Sequence, residues 1–218
     1  MRENSYLEQS VAMVETQLRK RGIKDASVLR AMTIVPRHEF VPEQFRSQAY
    51  SDEPLPIGGG QTISQPYIVA AMTEALGLRG SEKVLEIGTG CGYQTAVLSL
   101  LSREVYSLEY RSELATSAAT RLHRLGYLNV HIHCGDGSTG LKEFAPYDAI
   151  LVAAAARSVP EPLLAELQEG GRLIAPVGAE DRQELLLVKR HGTDYTSEHH
   201  EACRFVPLVG YYGWKDRK

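Results

Sequence analysis

The chain has 218 residues and a formal net charge of −3, and 43% of its residues are hydrophobic against 23% charged. Such values are typical of one globular domain with a sizeable core, and the acidic balance argues against a nucleic-acid surface, which needs an excess of Lys and Arg. The longest apolar run, residues 149–156, is far shorter than the ~20 residues of a membrane span. Residues 1–5 contain no apolar leader, and the three cysteines are widely spaced. We therefore expect a cytoplasmic protein without disulfides or a metal site, acting away from membranes and nucleic acids.

Two helices are predicted in the N-terminal part of the chain. The first has a capping-box pattern that starts at Ser5, and its apolar residues recur at helical spacing until Gly22. Its predicted apolar face consists of Leu7, Val11, Val14 and Leu18. The second helix begins after Asp25 as its N-cap and ends just before Pro36. Two prolines within residues 35–43 then predict an ordered, extended connection instead of a helix.

Residues 52–66 contain three prolines and three consecutive glycines, with apolar residues regularly interspersed. A flexible linker would be richer in Ser and charge. We therefore expect an ordered loop that packs against the body of the protein and presents polar groups. Pro66 suits the first position of a third helix, which a glycine at position 77 or 80 ends.

The segment 84–93, Val-Leu-Glu-Ile-Gly-Thr-Gly-Cys-Gly-Tyr, carries the clearest sequence signal. Its apolar start predicts a buried parallel strand, and residues 95–101 predict a helix. Glycines in the turn let the backbone approach a ligand closely, and the helix start offers unpaired N–H groups. A dinucleotide fingerprint would need glycine where Tyr93 stands. The pattern E-x-G-x-G-x-G instead resembles the first motif of the class I S-adenosylmethionine-dependent methyltransferases.

Beyond this motif, strands and helices alternate, which is the signature of a parallel sheet with helices on both faces. We expect an α/β fold: a doubly wound, mostly parallel, seven-stranded Rossmann-like sheet with an N-terminal helical extension. One methyltransferase domain (1–218) is predicted, with N-terminal helices and a substrate loop at 1–78, a cofactor-binding core at 79–180 and C-terminal strands at 181–218. After the first strand, further strands are predicted at residues 105–109, 130–134, 148–152, 172–177, 184–190 and 205–209, with a polar connection at 191–201.

Three acidic residues follow the carboxyl ends of consecutive strands, where ligands bind in open α/β sheets. Glu109 lies about twenty residues beyond the glycine turn, the spacing at which a carboxylate can accept hydrogen bonds from ribose hydroxyls. Asp136 lies between two glycines, and Glu86 directly precedes the glycine turn. The predicted cofactor-binding residues are Glu86, Ile87, Gly88, Thr89, Gly90, Gly92, Glu109, Asp136 and Gly137.

The sequence also bears on the methyl acceptor. A carboxylate is already ionised at neutral pH and therefore needs no general base to attack a sulfonium methyl group. Amino-methylating enzymes of this fold commonly carry Asn/Asp-Pro-Pro-Tyr/Phe after the fourth strand, where this chain has Ala153–Ala156. An amino-group acceptor is therefore disfavoured.

Residues 52–66, Asp-x-Pro-Leu-Pro-Ile-Gly-x-Gly-Gln-Thr-Ile-Ser-x-Pro, closely resemble a block of the protein-L-isoaspartate O-methyltransferases. Similar blocks stand at residues 13–18, 35–42, 135–137, 170–178 and 205–208, so the resemblance covers nearly the whole chain. It implies methylation of the α-carboxylate of L-isoaspartyl residues in damaged proteins and peptides, with S-adenosyl-L-methionine as donor and S-adenosyl-L-homocysteine as product. The methyl ester then closes to a succinimide, whose hydrolysis restores some normal aspartate. We expect a monomer.

The same resemblance assigns the active-site role to Ser64. We expect its hydroxyl to donate to the acceptor carboxylate and to hold one oxygen in line with the methyl group; the structural alternative is an N-cap before Pro66. Substrate contacts are expected from Ile57, Gln61, Thr62 and Ile63. The chain departs from the family at Ala153, where many members have Thr, and at Ala156 and Arg157, where proline is frequent.

Two other functions stay open on sequence grounds. An O-methyltransferase for small molecules or for other protein groups would use the same cofactor with a different carboxylate or phenol. A nucleotide-binding module or nicotinamide oxidoreductase would bind NAD, and Tyr93 in place of the last fingerprint glycine argues against it. His131 and His133 share a strand face, but no third metal ligand accompanies them in sequence.

Overall fold

The computed structural model describes residues 2–216, with side chains from Ser5 onward. The predicted domain limits at Met1 and Lys218 lie outside the described residues. The strands are β1 Leu55–Gly58, β2 Gln61–Ile63, β3 Lys83–Ile87, β4 Glu104–Glu109, β5 Val130–Cys134, β6 Tyr147–Val152, β7 Leu167–Ala179, β8 Arg182–His191 and β9 Asp194–Cys203. The α-helices are α1 Arg2–Met13, α2 Ala26–Ile34, α3 Pro66–Leu76, α4 Tyr93–Ser99, α5 Ser112–Arg124 and α6 Glu161–Ala165.

The main sheet has seven strands in the order β5-β4-β3-β6-β7-β8-β9. Its first five strands run parallel, and β8 and β9 are added antiparallel as a meander. The predicted mostly parallel, seven-stranded sheet is confirmed. Strand order reverses between β3 and β6, so the carboxyl end of β3 lies at the topological switch point where open α/β sheets bind ligands.

Both faces of the sheet are covered by apolar side chains. One core contains Val84, Leu151 and Ile174 together with the N-terminal helices, α3 and α4. The other contains Leu85, Ile150 and their neighbours on the opposite face. Alternate residues of β3 therefore point to different cores, as the period of a β-strand requires. In the described part of the chain, no helix combines the length and apolarity needed to cross a membrane.

The predictions for α2 and α3 are confirmed. The carboxylate of Asp25 accepts hydrogen bonds from the backbone N–H groups of Ser27 and Val28, which makes it the N-cap of α2. Pro66 is the first residue of α3, and Gly77 ends that helix in a left-handed conformation.

The first helix differs from its prediction in its start and in its buried face. It already includes Arg2, and after Met13 the chain continues as a π-turn and a 3₁₀ turn up to Arg21. Leu7 and Val11 are 57% and 44% exposed, so assigning them to the apolar face was wrong. The helix packs through Ser10 instead, whose hydroxyl donates to the carbonyl of Thr33 at 2.7 Å.

The connection between α2 and β1 is ordered but not extended. Its two segments, Arg37–Phe40 and Glu43–Gln48, are 3₁₀ turns, because a proline precedes each of them and fixes the backbone without preventing a short turn. The proline- and glycine-rich loop that follows forms the two-stranded hairpin β1–β2, in which Leu55 pairs with Ile63. The expectation of an ordered loop packed on the body is confirmed, since both of these residues are buried.

The prediction of the last strand was wrong. The polar residues 194–203 form β9, and they can do so because an edge strand pairs on one side only and leaves most of its side chains in solvent. The apolar residues 205–209 lie outside the sheet ladder. They bend back over the carboxyl end of β6, where the N–H of Ala155 donates to the carbonyl of Val206 at 2.8 Å and the N–H of Leu208 donates to the carbonyl of Ala155 at 2.7 Å.

Candidate functional site

A cleft of about 860 Å³, partly open to solvent, lies at the carboxyl ends of β3 and β4. Of the predicted cofactor residues, the cleft is lined by Ile87, Gly88, Thr89, Gly90, Glu109 and Gly137. Of the predicted substrate and catalytic residues, it is lined by Gln61, Thr62, Ile63 and Ser64. The structure therefore brings the glycine turn, the β1–β2 hairpin and Ser64 to one cleft.

Glu109 connects the glycine turn to the end of β4. Its carboxylate accepts the N–H of Gly90 at 2.8 Å through one oxygen and the N–H of Arg111 at 2.9 Å through the other. The side chain is 94% shielded from solvent but still lines the cleft. Since each carboxylate oxygen can accept a second hydrogen bond, Glu109 keeps acceptor capacity for the hydroxyls of a ligand.

Glu86 lies beneath the glycine turn and does not line the cleft. One of its oxygens accepts hydrogen bonds from the hydroxyls of Thr95 and Ser107, both at 2.5 Å. Its other oxygen is buried with no hydrogen-bond partner among the described residues. The hydroxyl of Ser107 already donates its hydrogen to Glu86. The hydroxyl of Thr89, 2.6 Å away, therefore donates to the oxygen of Ser107. Glu86 thus holds Thr89 in place through Ser107. Sequence spacing alone could not distinguish that role from direct contact with the cofactor.

Burial raises the pKa of Glu86 to about 8, although the hydroxyls of Ser107 and Thr95 act in the opposite direction. The described residues include no Lys or Arg within ion-pair distance of this carboxyl group. Desolvation without a counter-charge favours the protonated form. At neutral pH the glycine turn therefore rests on a largely uncharged carboxyl group.

Asp136 and Gly137 are neighbours in the sequence, but only Gly137 lines the cleft. Both carboxylate oxygens of Asp136 are used within the protein: one accepts the N–H and hydroxyl of Ser138, and the other accepts the N–H of Tyr211 at 2.7 Å. Asp136 therefore ties the C-terminal segment to the end of β5 and does not line the cleft. Gly137 does line it, and a Cβ atom there would stand 2.4 Å from Cγ2 of Ile87.

Two further predicted residues lie just outside the cleft. Gly92 packs against α5, and a Cβ atom at this position would stand 3.0 Å from Cδ1 of Leu122. The side chain of Ile57 reaches toward Gly90, where a Cβ atom would be 3.5 Å from Cδ1 of Ile57. Both residues therefore shape the glycine turn, from its helix side and from its hairpin side.

Ser64 stands between the end of β2 and the start of α3. Its hydroxyl makes no hydrogen bond to any described residue, although the side chain is half-buried. The N-cap of α3 is Gln65, and the N–H of Tyr67 is bonded by the carboxylate of Asp52 at 3.0 Å. The N-cap alternative for Ser64 was therefore wrong, and its hydroxyl is available to a ligand.

A second cleft, of about 970 Å³, adjoins the first. The two clefts share Thr62, Ser64, Ala153 and Val206. The second cleft lies between the start of α3 and the end of β9, where Tyr67 and Phe205 contribute to its walls. Ser64 thus lies where the two clefts meet.

Several lining residues were missed from the sequence. Tyr110 and Arg111 follow Glu109 directly, and their position next to a predicted ligand residue was an available signal. Residues 206–209 were assigned to a strand, but they form one wall of the first cleft. No periodic pattern could have indicated this, because their apolar side chains face a ligand cleft and not a sheet partner.

The comparison with family models is decisive. Residues 8–213 match the model of protein-L-isoaspartate(D-aspartate) O-methyltransferase. The chain belongs to this family. Relatives named protein-L-isoaspartate O-methyltransferase include a Pelobacter propionicus protein, 57% identical over 93% of this chain and 91% of its own length, and a Dictyoglomus thermophilum protein, 53% identical over 91% and 90%.

Solved structures agree with the family assignment. One protein-L-isoaspartate O-methyltransferase has a TM-score of 0.84 and 33% identity, covering 95% of this chain and 67% of the other. A Plasmodium falciparum protein assigned to the same activity, solved with S-adenosyl-L-homocysteine, has a TM-score of 0.79 and 26% identity, covering 92% and 98%. The chain accordingly has the class I methyltransferase fold, and its activity is S-adenosylmethionine-dependent carboxyl methylation in protein repair.

The first cleft fits this cofactor. Glycines form the turn that faces it, so a ligand can approach the backbone closely. At position 137 a side chain would fill space beside Ile87, and Glu109 retains acceptor capacity for ribose hydroxyls. Among the described residues, no cluster of three His, Cys, Asp or Glu side chains has the geometry to hold a metal ion.

Proposed function

We propose that the first cleft holds S-adenosylmethionine, that the second receives the isoaspartyl peptide, and that Ser64 orients the acceptor carboxylate where the two meet. The observation that carries this proposal is the shared wall at Thr62 and Ser64, together with the unpartnered hydroxyl of Ser64. A serine hydroxyl can donate one hydrogen bond to a carboxylate oxygen and so fix its direction. The other oxygen is then directed at the methyl group.

The cofactor supplies a sulfonium methyl group, and the protein supplies alignment. An acceptor carboxylate is ionised at neutral pH, so the chain need not provide a base. Correct alignment of two bound reactants can contribute about 7–11 kcal/mol to the barrier reduction. Attack by a carboxylate on a sulfonium group cancels both charges, and the apolar residues 206–209, which line the cleft, favour this by excluding water.

On the cofactor side, we propose that Glu109 accepts the ribose hydroxyls and that Gly88, Thr89, Gly90 and Gly137 leave room for the cofactor. Glu86, Gly92 and Ile57 support the turn that carries these residues. Gln61 and Ile63 complete the wall between cofactor and substrate. Asp136 acts through the C-terminal segment, which its carboxylate holds against the end of β5.

The first experiment uses labelled S-adenosylmethionine and two peptides that differ only in one linkage, L-aspartyl or L-isoaspartyl. We expect base-labile label on the isoaspartyl peptide alone. Label on another carboxylate or on a phenol would favour the alternative O-methyltransferase. Tight binding of NAD without binding of S-adenosylmethionine would exclude the proposal as a whole.

The role of Ser64 has its own test. Ser64→Ala should lower kcat for the isoaspartyl peptide about 10- to 100-fold, because a misaligned acceptor loses near-attack geometry. The Kd of S-adenosyl-L-homocysteine, measured by calorimetry, should stay unchanged. Ser47→Ala, at an exposed position in the preceding 3₁₀ turn, is the matched control and should behave as wild type. An unaltered rate in Ser64→Ala would remove the proposed role.

We also propose that the protein works as a cytoplasmic monomer. Cys91, Cys134 and Cys203 are unpaired, which suits a reducing compartment. Sedimentation velocity of the active protein at several concentrations tests the oligomeric state.

A further inference from the structure

An arginine that the activity does not explain lies beneath the substrate hairpin. Arg37 has no exposed surface and is among the largest fully buried side chains of the described chain. Its Nε donates to the carbonyl of Ala49 and its Nη2 donates to the carbonyl of Ser64, both at 2.7 Å. The guanidinium carbon lies 4.7 Å from the ring centroid of Tyr93, the first residue of α4 and a wall of the cofactor cleft.

Stability alone is a poor reason for this arrangement. No carboxylate of the described residues lies within ion-pair distance of Arg37. Its Nη1 is buried and has no hydrogen-bond partner among them. Burying a charge without a counter-charge is unfavourable, and apolar side chains of similar volume often stabilise such a position better. The two hydrogen bonds and the contact with the Tyr93 ring offset only part of this cost.

The contacts instead define a geometry. The hydroxyl of Ser64 has no partner, so its direction depends on how the backbone of Ser64 is held. Arg37 binds the carbonyl of that residue and rests against Tyr93, which belongs to the cofactor side of the cleft. A guanidinium group is planar and presents its N–H donors in fixed directions, so it can hold two carbonyls and an aromatic ring at once. A lysine ammonium group on a flexible stem cannot reproduce this fork.

We propose that Arg37 is a positioning residue for methyl transfer: it fixes the backbone of Ser64 relative to the cofactor cleft, so that the Ser64 hydroxyl meets the acceptor carboxylate in line with the methyl group. This inference rests on the role proposed for Ser64. It concerns alignment of the acceptor and predicts no change in cofactor binding, because Arg37 does not itself line the cofactor cleft.

A double-mutant cycle tests the inference with the full-length protein. Arg37→Lys keeps a long basic side chain but removes the planar fork of donors, so it tests the donor geometry. We expect kcat for the isoaspartyl peptide to fall about 10- to 100-fold, with KM and the Kd of S-adenosyl-L-homocysteine within about twofold of wild type. In the Ser64→Ala background, Arg37→Lys should lower kcat by less than about twofold, since the hydroxyl that it positions is gone.

Loss of folded protein would behave differently, because it would lower activity by the same factor in both backgrounds. If Arg37→Lys lowered kcat by the same factor with and without the Ser64 hydroxyl, the inference would be overturned. Wild-type kcat in Arg37→Lys, or weaker binding of S-adenosyl-L-homocysteine by that variant, would also overturn it. Wild-type kcat in Ser64→Ala would instead refute the proposed role of Ser64, whatever Arg37→Lys does.

Two further variants keep the test informative. Arg46→Lys makes the same exchange at a half-buried arginine of the neighbouring 3₁₀ turn, which has no hydrogen bond to Ser64, and should match wild type. If Arg37→Lys does not fold, Arg37→Gln takes its place. Its amide can donate to one carbonyl without burying a charge, and we expect the same dependence on Ser64 in the cycle. Equal losses with and without the Ser64 hydroxyl would again overturn the inference.

Discussion

The two sides of the active cleft are built differently. On the cofactor side, the polar groups of the glycine turn already have partners: the N–H of Gly90 binds Glu109, and Thr89 is held by Ser107, which in turn binds Glu86. On the substrate side, the hydroxyl of Ser64 has no partner in the described chain, and the hairpin that leads to it consists of two strands of four and three residues.

This difference matches what each side is proposed to bind. One cofactor of fixed structure is best bound by a preorganised surface, whose hydrogen bonds need no rearrangement when the ligand arrives. Isoaspartyl residues occur in different protein chains, so the substrate side must recognise one carboxylate and tolerate various neighbours. A single free donor where the two clefts meet suits that task. The contrast predicts that damage to the two sides has separable effects on cofactor affinity and on turnover.

The largest loss of cofactor affinity is expected for Glu109→Ala. The change removes the acceptor proposed for the ribose hydroxyls and also the bond that holds Gly90. Hydrogen bonds to charged groups contribute about 1.5–3 kcal/mol each, so the Kd of S-adenosyl-L-homocysteine should rise about 100-fold or more. Isothermal titration calorimetry measures it. Glu104→Ala, at the opposite end of the same strand, is the control, and an equal loss there would contradict the assignment.

The next largest effect on cofactor affinity is expected at Gly137, one of two glycines that follow β5. A Cβ atom at Gly137 would stand 2.4 Å from Cγ2 of Ile87, so Gly137→Ala must displace the side chain of Ile87 at the end of β3. We expect the free energy of unfolding to fall by about 1–3 kcal/mol, as for other overpacked sites, and cofactor affinity to weaken. Gly135→Ala meets Cδ1 of Leu108 at 3.5 Å, an ordinary contact, and should be nearly neutral. Equal urea midpoints for the two variants would contradict this prediction.

The cofactor side could be predicted well from the sequence because its signals are local. A strand, a glycine turn and an acidic residue about twenty positions later specify one edge of a parallel sheet, and the lining residues Gly88, Gly90 and Glu109 follow from it. What spacing cannot supply is which way a side chain points. Glu86 and Asp136 satisfy the same pattern as Glu109, yet one lies beneath the turn and the other holds the C-terminal segment.

The substrate side and the C-terminus were harder to predict, for a physical reason. Periodicity reports burial against a sheet or helix layer, whereas the apolar residues 205–209 line the two clefts. The edge strand β9 shows the reverse case, a strand of polar residues that no alternation indicated. Arg37 was visible only as part of a sequence block, since its contacts join segments that lie 12 and 27 residues away.

The pH dependence of stability tests how the cofactor side is supported. The pKa of Glu86 is raised from 4.5 to about 8 in the folded protein, so folding retains a proton that the unfolded chain releases. The stability that this group contributes is fully present below pH 4.5 and is lost as the pH rises toward 8. Over this window the wild-type free energy of unfolding should fall by up to about 1.4 kcal/mol per pH unit relative to Glu86→Gln.

Urea titrations at several pH values between 4.5 and 8 measure this difference. The glutamine side chain has the shape of the protonated acid but does not titrate, so its own profile should lack this component of the slope. Glu104→Gln alters a carboxyl group that is partly exposed at the far end of β4, and it corrects for general effects of removing a charge. Parallel profiles for wild type and Glu86→Gln would show that Glu86 is not the group responsible.

The smallest effect on cofactor affinity is expected for a matched pair of glycine variants. One glycine lies on the substrate side and the other on the cofactor side, so the pair compares the two sides directly. Gly59 in the hairpin and Gly90 in the glycine turn have φ values of 58° and 55°, so alanine meets nearly the same backbone strain at both. Each change should lower the free energy of unfolding by about 1–2 kcal/mol. Only Gly90→Ala should weaken cofactor binding, by a few-fold, because Gly90 lines the first cleft and strain there shifts the N–H that Glu109 binds. If Gly59→Ala weakened the cofactor equally, the hairpin and the glycine turn would act as one unit, and the contrast between a preorganised cofactor side and a loosely held substrate side would not stand.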